Sequence, residues 1–216
     1  MSAIRAVVPV KAFALAKQRL AGVLPAALRQ ALARAMLEDV LDALARTDGL
    51  AGILVVTADD DAARIAARFG AGVTEVAARD GHSEAVAAAA GRLAQAGEGM
   101  LTIAADVPLA APADFAAMLD ACPRGGGFVI VPARDGHGSN AVLCVPAVAV
   151  PLRFGADSYA PHAAAAAAHG MAPVTLRLAR LALDIDGPDD LAEFLSVEQD
   201  TRARDVLRRH GIGHRP

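Results

Sequence analysis

The stretch MLTIAADVPLAAP, residues 100–112, reads as a buried strand that ends in a polar turn before a helix. Mostly apolar residues lead to Asp106, and a new helical pattern begins at about Pro112. A carboxylate at this point lies at the C-terminal edge of the strand, which is where open α/β sheets bind ligands. The stretch therefore predicts an α/β fold with a site at that edge. The alternative is an aspartate that only fixes the turn.

The same succession of strand and helix runs through the first part of the chain. Strands are predicted at 4–10, 52–57, 72–77 and 100–106, and helices at 25–46, 59–69, 83–96 and 112–121. Strands that alternate with helices are typical of a mostly parallel sheet flanked by helices. We therefore predict an α/β fold of this kind.

The second part of the chain is less regular. Predicted strands at 127–133 and 140–146 are joined by the turn-rich RDGHGS, which indicates a hairpin-like insertion. A short helix is expected within 153–169, extended structure over 173–186, and helices over 188–196 and 199–210. Neither a repeat nor a disordered linker is found, so one domain over residues 1–216 is predicted.

Composition excludes several classes of function. The 216 residues are 55% hydrophobic but only 3% aromatic, and the formal charge of −3 gives no footprint for nucleic-acid binding. Cys122 and Cys144 have no ligand or redox spacing, and no secretory leader is recognised, so a reduced cytoplasmic protein is expected. No apolar run reaches the roughly 20 residues that span a bilayer, so no membrane role is expected.

Two aspartates lie one residue apart in LALDIDGPDDLAEF, residues 181–194. If the segment is a strand, Asp184 and Asp186 face the same side about 7 Å apart, with a repulsion of roughly 2 to 3 kcal/mol unless a cation lies between them. Helix capping or a solvated loop is the alternative. Pro188 suits the first helical position, which would make Gly187 the N-cap and leave both aspartates upstream. Together with Asp106, the pair forms a carboxylate set suited to Mg²⁺ shared with substrate phosphates.

The amino-terminal region is basic, since no acid precedes Glu38. Lys11, Lys17 and Arg19 follow the first predicted strand, where a βα loop can present them to a phosphate chain. A solvated basic loop is the alternative. The loop matches neither the dinucleotide fingerprint nor the phosphate loop of ATPases, because its only glycine, Gly22, comes after the basic cluster.

Three other loops could face a ligand. DGHGSNAV contains Ser139 and Asn140, and RFGADSYAPH contains Gly155 and Ser158. Backbone amides and hydroxyls in such loops can bind an anion, although turn chemistry alone also explains them. RDGHSEAV could touch a nucleotide base, or Ser83 could simply cap the following helix. His162 by itself is expected to be a surface or packing histidine.

Taken together, VVPVKAFALAKQRLAGVL, TIAADVPL, DGHGSNAVL, RFGADSYAPH and LALDIDGPDDL resemble the 2-phospholactate guanylyltransferase family of coenzyme F-420 biosynthesis. The resemblance runs in order over most of the chain. It implies a single-domain nucleotidyltransferase fold of the glycosyltransferase type A-like, Rossmann-like kind. It also implies transfer of GMP from GTP to 2-phospho-L-lactate, phosphoenolpyruvate or 3-phospho-D-glycerate.

The resemblance also implies roles for particular residues. Lys17, Arg19 and Asp106 would be catalytic, with Mg²⁺ as cofactor, and the remaining matches would bind substrates. The implied metal ligands are Asp106, Asp184 and Asp186, and the implied substrate-binding residues are Lys11, Gly81, Ser83, Ser139, Asn140, Gly155 and Ser158.

The chain departs from the family pattern at three places. The usual GTGTN is GHGSN here, DvDT is DIDG, and the GlN of the base-side loop is replaced by Gly81, His82 and Ser83. The first two changes keep a hydroxyl at Ser139 and both carboxylates. The third replaces an amide, which donates and accepts hydrogen bonds, with a hydroxyl.

Two other classes of function stay open. A glycosyltransferase that uses a sugar nucleotide would also need an Asp-x-Asp site, but one placed mid-chain with an acceptor-binding half after it. A non-catalytic nucleotide-binding protein would be consistent with the departures. For protein partners, a homodimer and association with the next pathway enzyme are both open.

Overall fold

The computed structural model describes residues 2–213 as alternating strands and helices. Two short 3-10 helices, Phe13–Leu15 and Gln18–Leu20, follow the first strand. The strands are β1 Ile4–Pro9, β2 Leu50–Val56, β3 Gly72–Thr74, β4 Gly99–Ile103, β5 Gly127–Pro132, β6 Ser139–Val145 and β7 Pro173–Thr175. The helices are α1 Ala26–Ala45, α2 Asp60–Arg68, α3 His82–Gln95, α4 Pro112–Ala121, α5 Tyr159–Ala168, α6 Ala179–Ala182, α7 Pro188–Ser196 and α8 Arg202–Arg209.

One seven-stranded sheet organises these elements, in the order β3-β2-β1-β4-β6-β5-β7. Neighbours pair in parallel except around β6, which runs antiparallel to both β4 and β5. The predicted mostly parallel α/β fold is therefore confirmed, and so is the hairpin of β5 and β6. That the chain forms one domain over residues 1–216 stays a prediction.

The sheet is buried on both faces, which explains its nearly continuous apolar strands. Along β6, Ala141 and Leu143 pack into the larger core with α1, α4, α7 and α8, while Val142 and Cys144 pack into the smaller core with α3 and α5. The alternation follows from the two-residue period of a strand. Among the described residues, no helix combines the length and the apolar character that crossing a membrane requires.

Residues 173–186 do not form the single extended segment that their sequence predicts. The chain forms a three-residue strand, then the helical turn α6, and reaches Asp184 and Asp186 in an extended loop. A residue that is distant in sequence determines the conformation of this segment, since the Asn140 side-chain amide donates to the carbonyls of Leu181 and Ala182. The aspartates are therefore outside any strand.

Two predicted helix starts also differ from the structure. Helix α3 begins at His82 with Gly81 as its N-cap, so Ser83 lies inside the first turn and does not cap it. Gly81 adopts φ +128, a conformation that side-chain-bearing residues rarely take. The last helix begins at Arg202 rather than near Gln199, because the Thr201 hydroxyl accepts from the Arg204 amide as an N-cap.

Candidate active site

The site lies where the direction of strand order changes. The chain builds β1, β2 and β3 toward one side and then crosses to place β4 on the other side of β1. Loops that leave the carboxyl ends of β1 and β4 diverge there and form a crevice. Because β6 is antiparallel, its first residues, Ser139 and Asn140, lie at this same edge. Strand topology thus brings the predicted site residues together.

The basic loop after β1 is held by apolar anchors. Phe13 and Leu20 are buried, and the Phe13 amide donates to the Asp59 carboxylate at 2.9 Å. Between them, Lys17 adopts a left-handed backbone with φ 52, which is uncommon for a residue with a side chain. The anchored loop directs the Lys17 side chain inward, where only 8% of it is exposed.

Lys17 joins two of the predicted carboxylates. Its ammonium donates to Asp106 Oδ2 at 2.5 Å and to Asp186 Oδ1 at 2.9 Å. Arg19 lies 3.5 Å from the other oxygen of Asp186 and leaves 76% of its own side chain exposed. The structure therefore brings Lys17, Arg19, Asp106 and Asp186 together, as the sequence predicts.

The charges at this cluster shift its titration. Burial alone would lower the pKa of Lys17, but the charges of Asp106 and Asp186 outweigh it and raise that pKa above its ordinary value. Burial alone would raise the pKa of Asp186, but the Lys17 ammonium outweighs it and lowers that pKa. The lysine is thus held as a cation and Asp186 as a carboxylate.

Asp184 has a different environment from Asp186. Its Oδ1 accepts from the Asn140 amide at 2.9 Å. Burial, followed by the negative charge of Asp106, raises the pKa of Asp184 to about 6. This carboxyl is therefore close to Asp106 and lacks the compensating ammonium.

Helix α7 fixes the position of Asp186. Pro188 is the first helical residue and Gly187 the N-cap, as predicted, while Asp190 accepts from the backbone amides of Asp186 at 3.1 Å and Gly187 at 2.8 Å. The Ile185 amide also donates to the Asp106 carbonyl at 3.0 Å. These bonds tie the DIDG segment to the loop after β4.

Two adjoining cavities open at this cluster. The first has a volume of about 520 Å³ and the second about 470 Å³. Both are lined by Lys11, Arg19, His82 and Asp186. The first is also lined by Ser139, Asn140, Gly155, Ser158 and Asp184, and the second by Lys17 and Asp106.

Gly81 and Ser83, which the resemblance implies as substrate-binding, line neither of these two cavities. Ser83 instead stabilises the loop before α5, because its hydroxyl accepts a hydrogen bond from the Phe154 amide at 2.9 Å. His82 faces both cavities in their place, with its ring 4.6 Å from the Phe154 ring. Burial lowers the pKa of His82 to about 4, so its imidazole is neutral near pH 7.

His162, which the sequence alone predicts to be a surface or packing histidine, is a buried histidine that lines neither cavity but contacts Ser139, which lines the first. It is buried, its Nδ1 lies 3.1 Å from the Ser139 hydroxyl, and its Nε2 accepts from the Arg153 amide at 2.9 Å. The only signal in the sequence is its place four residues after Ser158, one helical turn on. For His82, the sequence marks only its segment RDGHSEAV, as one that could touch a nucleotide base.

The carboxylates fit a divalent cation in their chemistry and orientation. Oxygen ligands suit Mg²⁺, and Asp106 and Asp186 already point at a positive charge, the Lys17 ammonium. Over residues 2–213, however, no three Asp, Glu, His or Cys side chains are grouped as a ready metal site.

Two guanylyltransferases are similar to this chain over most of its length. A phosphoenolpyruvate guanylyltransferase from Conexibacter woesei is 41% identical over 189 residues, covering 86% of this chain and 84% of the relative. A 2-phospho-L-lactate guanylyltransferase from Methanothermobacter thermautotrophicus is 33% identical over 204 residues, covering 94% and 89%.

The fold has solved counterparts too. A protein of Desulfovibrio desulfuricans G20, provisionally assigned as a nucleotide-diphospho-sugar transferase, superposes with a TM-score of 0.75 at 21% identity, covering 98% of this chain and 96% of its own. The family described as "Guanylyl transferase CofC like" matches residues 4–216. The chain therefore belongs to the CofC-like guanylyl transferase family.

Proposed function

We propose that the protein transfers the GMP moiety of GTP to the phosphate of a small phosphorylated acid and releases pyrophosphate. The observation that carries this proposal is the meeting of Lys17 with Asp106 and Asp186 beside two adjoining cavities. The names of the relatives support the choice of GTP and of phosphoenolpyruvate or 2-phospho-L-lactate. 3-Phospho-D-glycerate stays a third acceptor to be tested.

The reaction needs no protein nucleophile. A phosphate oxygen of the acid attacks the α-phosphorus of GTP, a new P–O bond forms, and the bond to the β-phosphate oxygen breaks as pyrophosphate leaves. Positioning and charge stabilisation then supply most of the catalysis. Lys11 and Arg19 line both cavities and would hold the phosphates of GTP. Lys17 lines the second cavity and would stay in contact with the α-phosphate while it is transferred.

The proposal includes Mg²⁺ as cofactor. Asp106, Asp184 and Asp186 would hold the ion. When bound, it would neutralise negative charge on the phosphates and stabilise the leaving pyrophosphate. The Lys17 ammonium lies between Asp106 and Asp186, and its positive charge offsets the repulsion between the two carboxylates.

The two cavities suggest a division of substrates. Ser139, Gly155 and Ser158 line the first cavity with hydroxyl and backbone groups, and we assign this side to the phosphorylated acid. The second cavity has apolar walls that include Phe13 and Leu15, and we assign it to the nucleotide. At the start of α3, His82 lines both cavities, and Gly81 and Ser83 line neither.

The remaining parts of the proposal concern the cellular setting. We infer a place in coenzyme F-420 biosynthesis and in the cytoplasm, where GTP and phosphorylated acids are available. Cys122 and Cys144 are free thiols, which is compatible with a reducing compartment. A homodimer or association with the next enzyme of the pathway stays a prediction, which gel filtration with and without that enzyme would test.

A pyrophosphate-release assay tests the function. The purified protein is incubated with Mg²⁺, each nucleoside triphosphate in turn, and each of the three acids, and we expect release only with GTP and one preferred acid. Asp106→Asn and Asp186→Asn should each lower kcat/KM by about 100-fold or more, which corresponds to about 3 kcal/mol. Asp200→Asn is the matched control, because it removes a carboxylate that is 98% exposed and outside both cavities. Absence of pyrophosphate in every pairing would overturn the proposal.

A further inference from the structure

Three buried side chains form a connected polar group at the first cavity, which Ser139 and Ser158 line and His162 does not. Ser139, Ser158 and His162 are 8%, 3% and 1% exposed, respectively. The Ser158 hydroxyl donates to Ser139 Oγ at 3.2 Å, and His162 Nδ1 lies 3.1 Å from the same oxygen. Buried polar groups of this kind fix one another's proton positions.

The backbone determines which nitrogen of His162 carries the proton. The amide of Arg153 can only donate, and it points to His162 Nε2 at 2.9 Å. Nε2 must therefore be the unprotonated nitrogen of a neutral ring. The proton is then on Nδ1, and Nδ1 donates to the Ser139 hydroxyl oxygen.

The Ser139 hydroxyl can act only as a hydrogen-bond donor toward the cavity. Its oxygen accepts from both His162 and Ser158, which uses its two lone pairs. Within residues 2–213, no protein acceptor is found for the Ser139 proton. Because Ser139 lines the cavity beside Lys11 and Arg19, that proton is available to an anionic oxygen in the cavity.

We propose that His162 is a positioning residue that makes Ser139 an obligatory hydrogen-bond donor to an anionic oxygen of the phosphorylated acid. This inference rests on the proposed function, because it concerns the acid side of that site. It predicts selection for groups that only accept hydrogen bonds, namely carboxylate and phosphate oxygens, over amines and hydroxyl-bearing neutral groups.

The surroundings keep this arrangement over the physiological pH range. Burial lowers the pKa of His162 to about 4, so the ring stays neutral above about pH 5. Its ring also packs against Phe154 with centroids 4.9 Å apart, which restricts rotation of the imidazole.

The tautomer itself can be measured without any substrate. In a long-range ¹H–¹⁵N spectrum of ¹⁵N-histidine-labelled protein, the His162 ring should have its proton on Nδ1 and should show no change between pH 5.5 and 8. His162→Phe should remove that signal and identify it. A His162 signal with the proton on Nε2, or a His162 signal that titrates near the ordinary histidine pKa of about 6.5, would overturn the inference whatever the turnover.

Side-chain replacements separate the two nitrogens. Asparagine can reproduce the Nδ1 donor to Ser139, whereas glutamine reaches the Nε2 position near the Arg153 amide. We expect the KM for the acid to rise about 10-fold or more in His162→Gln and His162→Phe, and less in His162→Asn, with the KM for GTP little changed. His169→Phe is the matched control at the C-cap of the same helix, because His169 is exposed and its ring bonds only to the Ala165 carbonyl.

A double substitution tests whether His162 acts through Ser139. If it does, Ser139→Ala with His162→Phe should raise the KM for the acid no more than Ser139→Ala alone. Multiplied single effects, or a His162→Gln enzyme that binds acid better than His162→Asn, would show that His162 only supports the loop at Arg153 and would overturn the proposal. Thermal unfolding of each variant checks that it is folded. A wild-type protein inactive with every acid would instead refute the proposed function and leave the tautomer measurement to decide this inference.

Discussion

Asp184 belongs to the candidate site, but its ionised carboxylate lowers the stability of the folded protein. Its carboxyl lies among Asn140, Asp106 and Asp186, and burial with the Asp106 charge raises its pKa to about 6. Below about pH 3.8 the group is protonated in both folded and unfolded chains, so it has no effect on stability. Between pH 3.8 and about 6 only the unfolded chain releases the proton, and stability is lost as pH rises.

Replacing Asp184 by asparagine should therefore stabilise the protein near neutral pH while removing activity. The new side-chain amide keeps an oxygen to accept from Asn140, but it has no charge. We expect the free energy of unfolding at pH 7 to rise by roughly 1 to 3 kcal/mol, and the gain to disappear below about pH 4. Urea unfolding at pH 4, 5, 6 and 7 measures this. A gain that does not depend on pH, or a loss of stability at pH 7, would contradict the explanation.

At the scale of single residues, the sequence predicts the ion-paired part of the site better than the hydrogen-bonded part. Lys17 follows β1 and Asp106 follows β4, so the rule that ligand-binding loops gather at the carboxyl edge of a parallel sheet predicts both. Asp186 lies outside any strand, and its contact with Lys17, 169 residues away, depends on the loop before α7. No comparable rule predicts the role of His162, because that role depends on where Arg153 and Ser139 lie in the folded loops. Hydrogen-bond partners set by loop conformation cannot be read from spacing.

At the scale of elements, the strands and helices of the first part of the chain follow directly from local pattern. Strands such as β1 and β4 lie within a few residues of their predicted bounds, since apolar runs and turn residues alternate clearly there. The prediction fails for residues 173–186 because no local sequence signal marks the turn there. Asn140 and Arg134 hold the carbonyl of Ala182 from across the sheet edge, and tertiary contacts of this kind override an apolar, strand-like sequence.

Helix α7, which positions Asp186, depends on one buried arginine at its other end. Arg204 in α8 is 5% exposed and donates to the carbonyls of Phe194, Leu195 and Val197. It also donates to Gln199 and lies over the Phe194 ring at 5.0 Å. The last carbonyls of a helix need such donors when they are buried.

Arg204→Leu should lower the free energy of unfolding by roughly 2 to 4 kcal/mol, because several buried carbonyls lose their donor at once. Arg208→Leu is a matched control one turn further along α8. Its side chain is 47% exposed and makes only ion pairs of 3.7 and 4.0 Å, so a change within about 0.5 kcal/mol is expected. Guanidinium chloride unfolding compares the two variants, and equal effects would show that the carbonyl contacts of Arg204 contribute little.

At the scale of the whole molecule, the site joins three parts of the chain that are far apart in sequence. Lys17 comes from the loop after β1, Asp106 from the loop after β4, and Asp186 from the segment before α7. One ammonium therefore connects residues 89 and 169 positions away. If a divalent cation binds the same carboxylates, it must share them with that ammonium or displace it.

Because Mg²⁺ and the Lys17 ammonium would compete for the same carboxylates, Mg²⁺ should change the thermal stability of the wild-type protein and of a Lys17 variant by different amounts. In EDTA, Lys17→Met should lower the free energy of unfolding by roughly 1 to 3 kcal/mol, because two partly buried carboxylates lose their counter-charge. Tm should fall by about 2 to 4 °C for each kcal/mol in a chain of this size.

Millimolar Mg²⁺ without nucleotide should restore part of the lost Tm in Lys17→Met and change the wild-type protein much less. Any ligand that binds only the folded state raises its stability in proportion to the logarithm of its concentration over Kd, and the wild-type ammonium raises that Kd. Lys11→Met is the matched control, since Lys11 lines both cavities but makes no ion pair among the described residues, so its Tm should respond to Mg²⁺ as the wild type does. NaCl at equal ionic strength separates binding from screening. Equal Mg²⁺ responses in wild type and Lys17→Met would mean that Asp106 and Asp186 do not form the cation site.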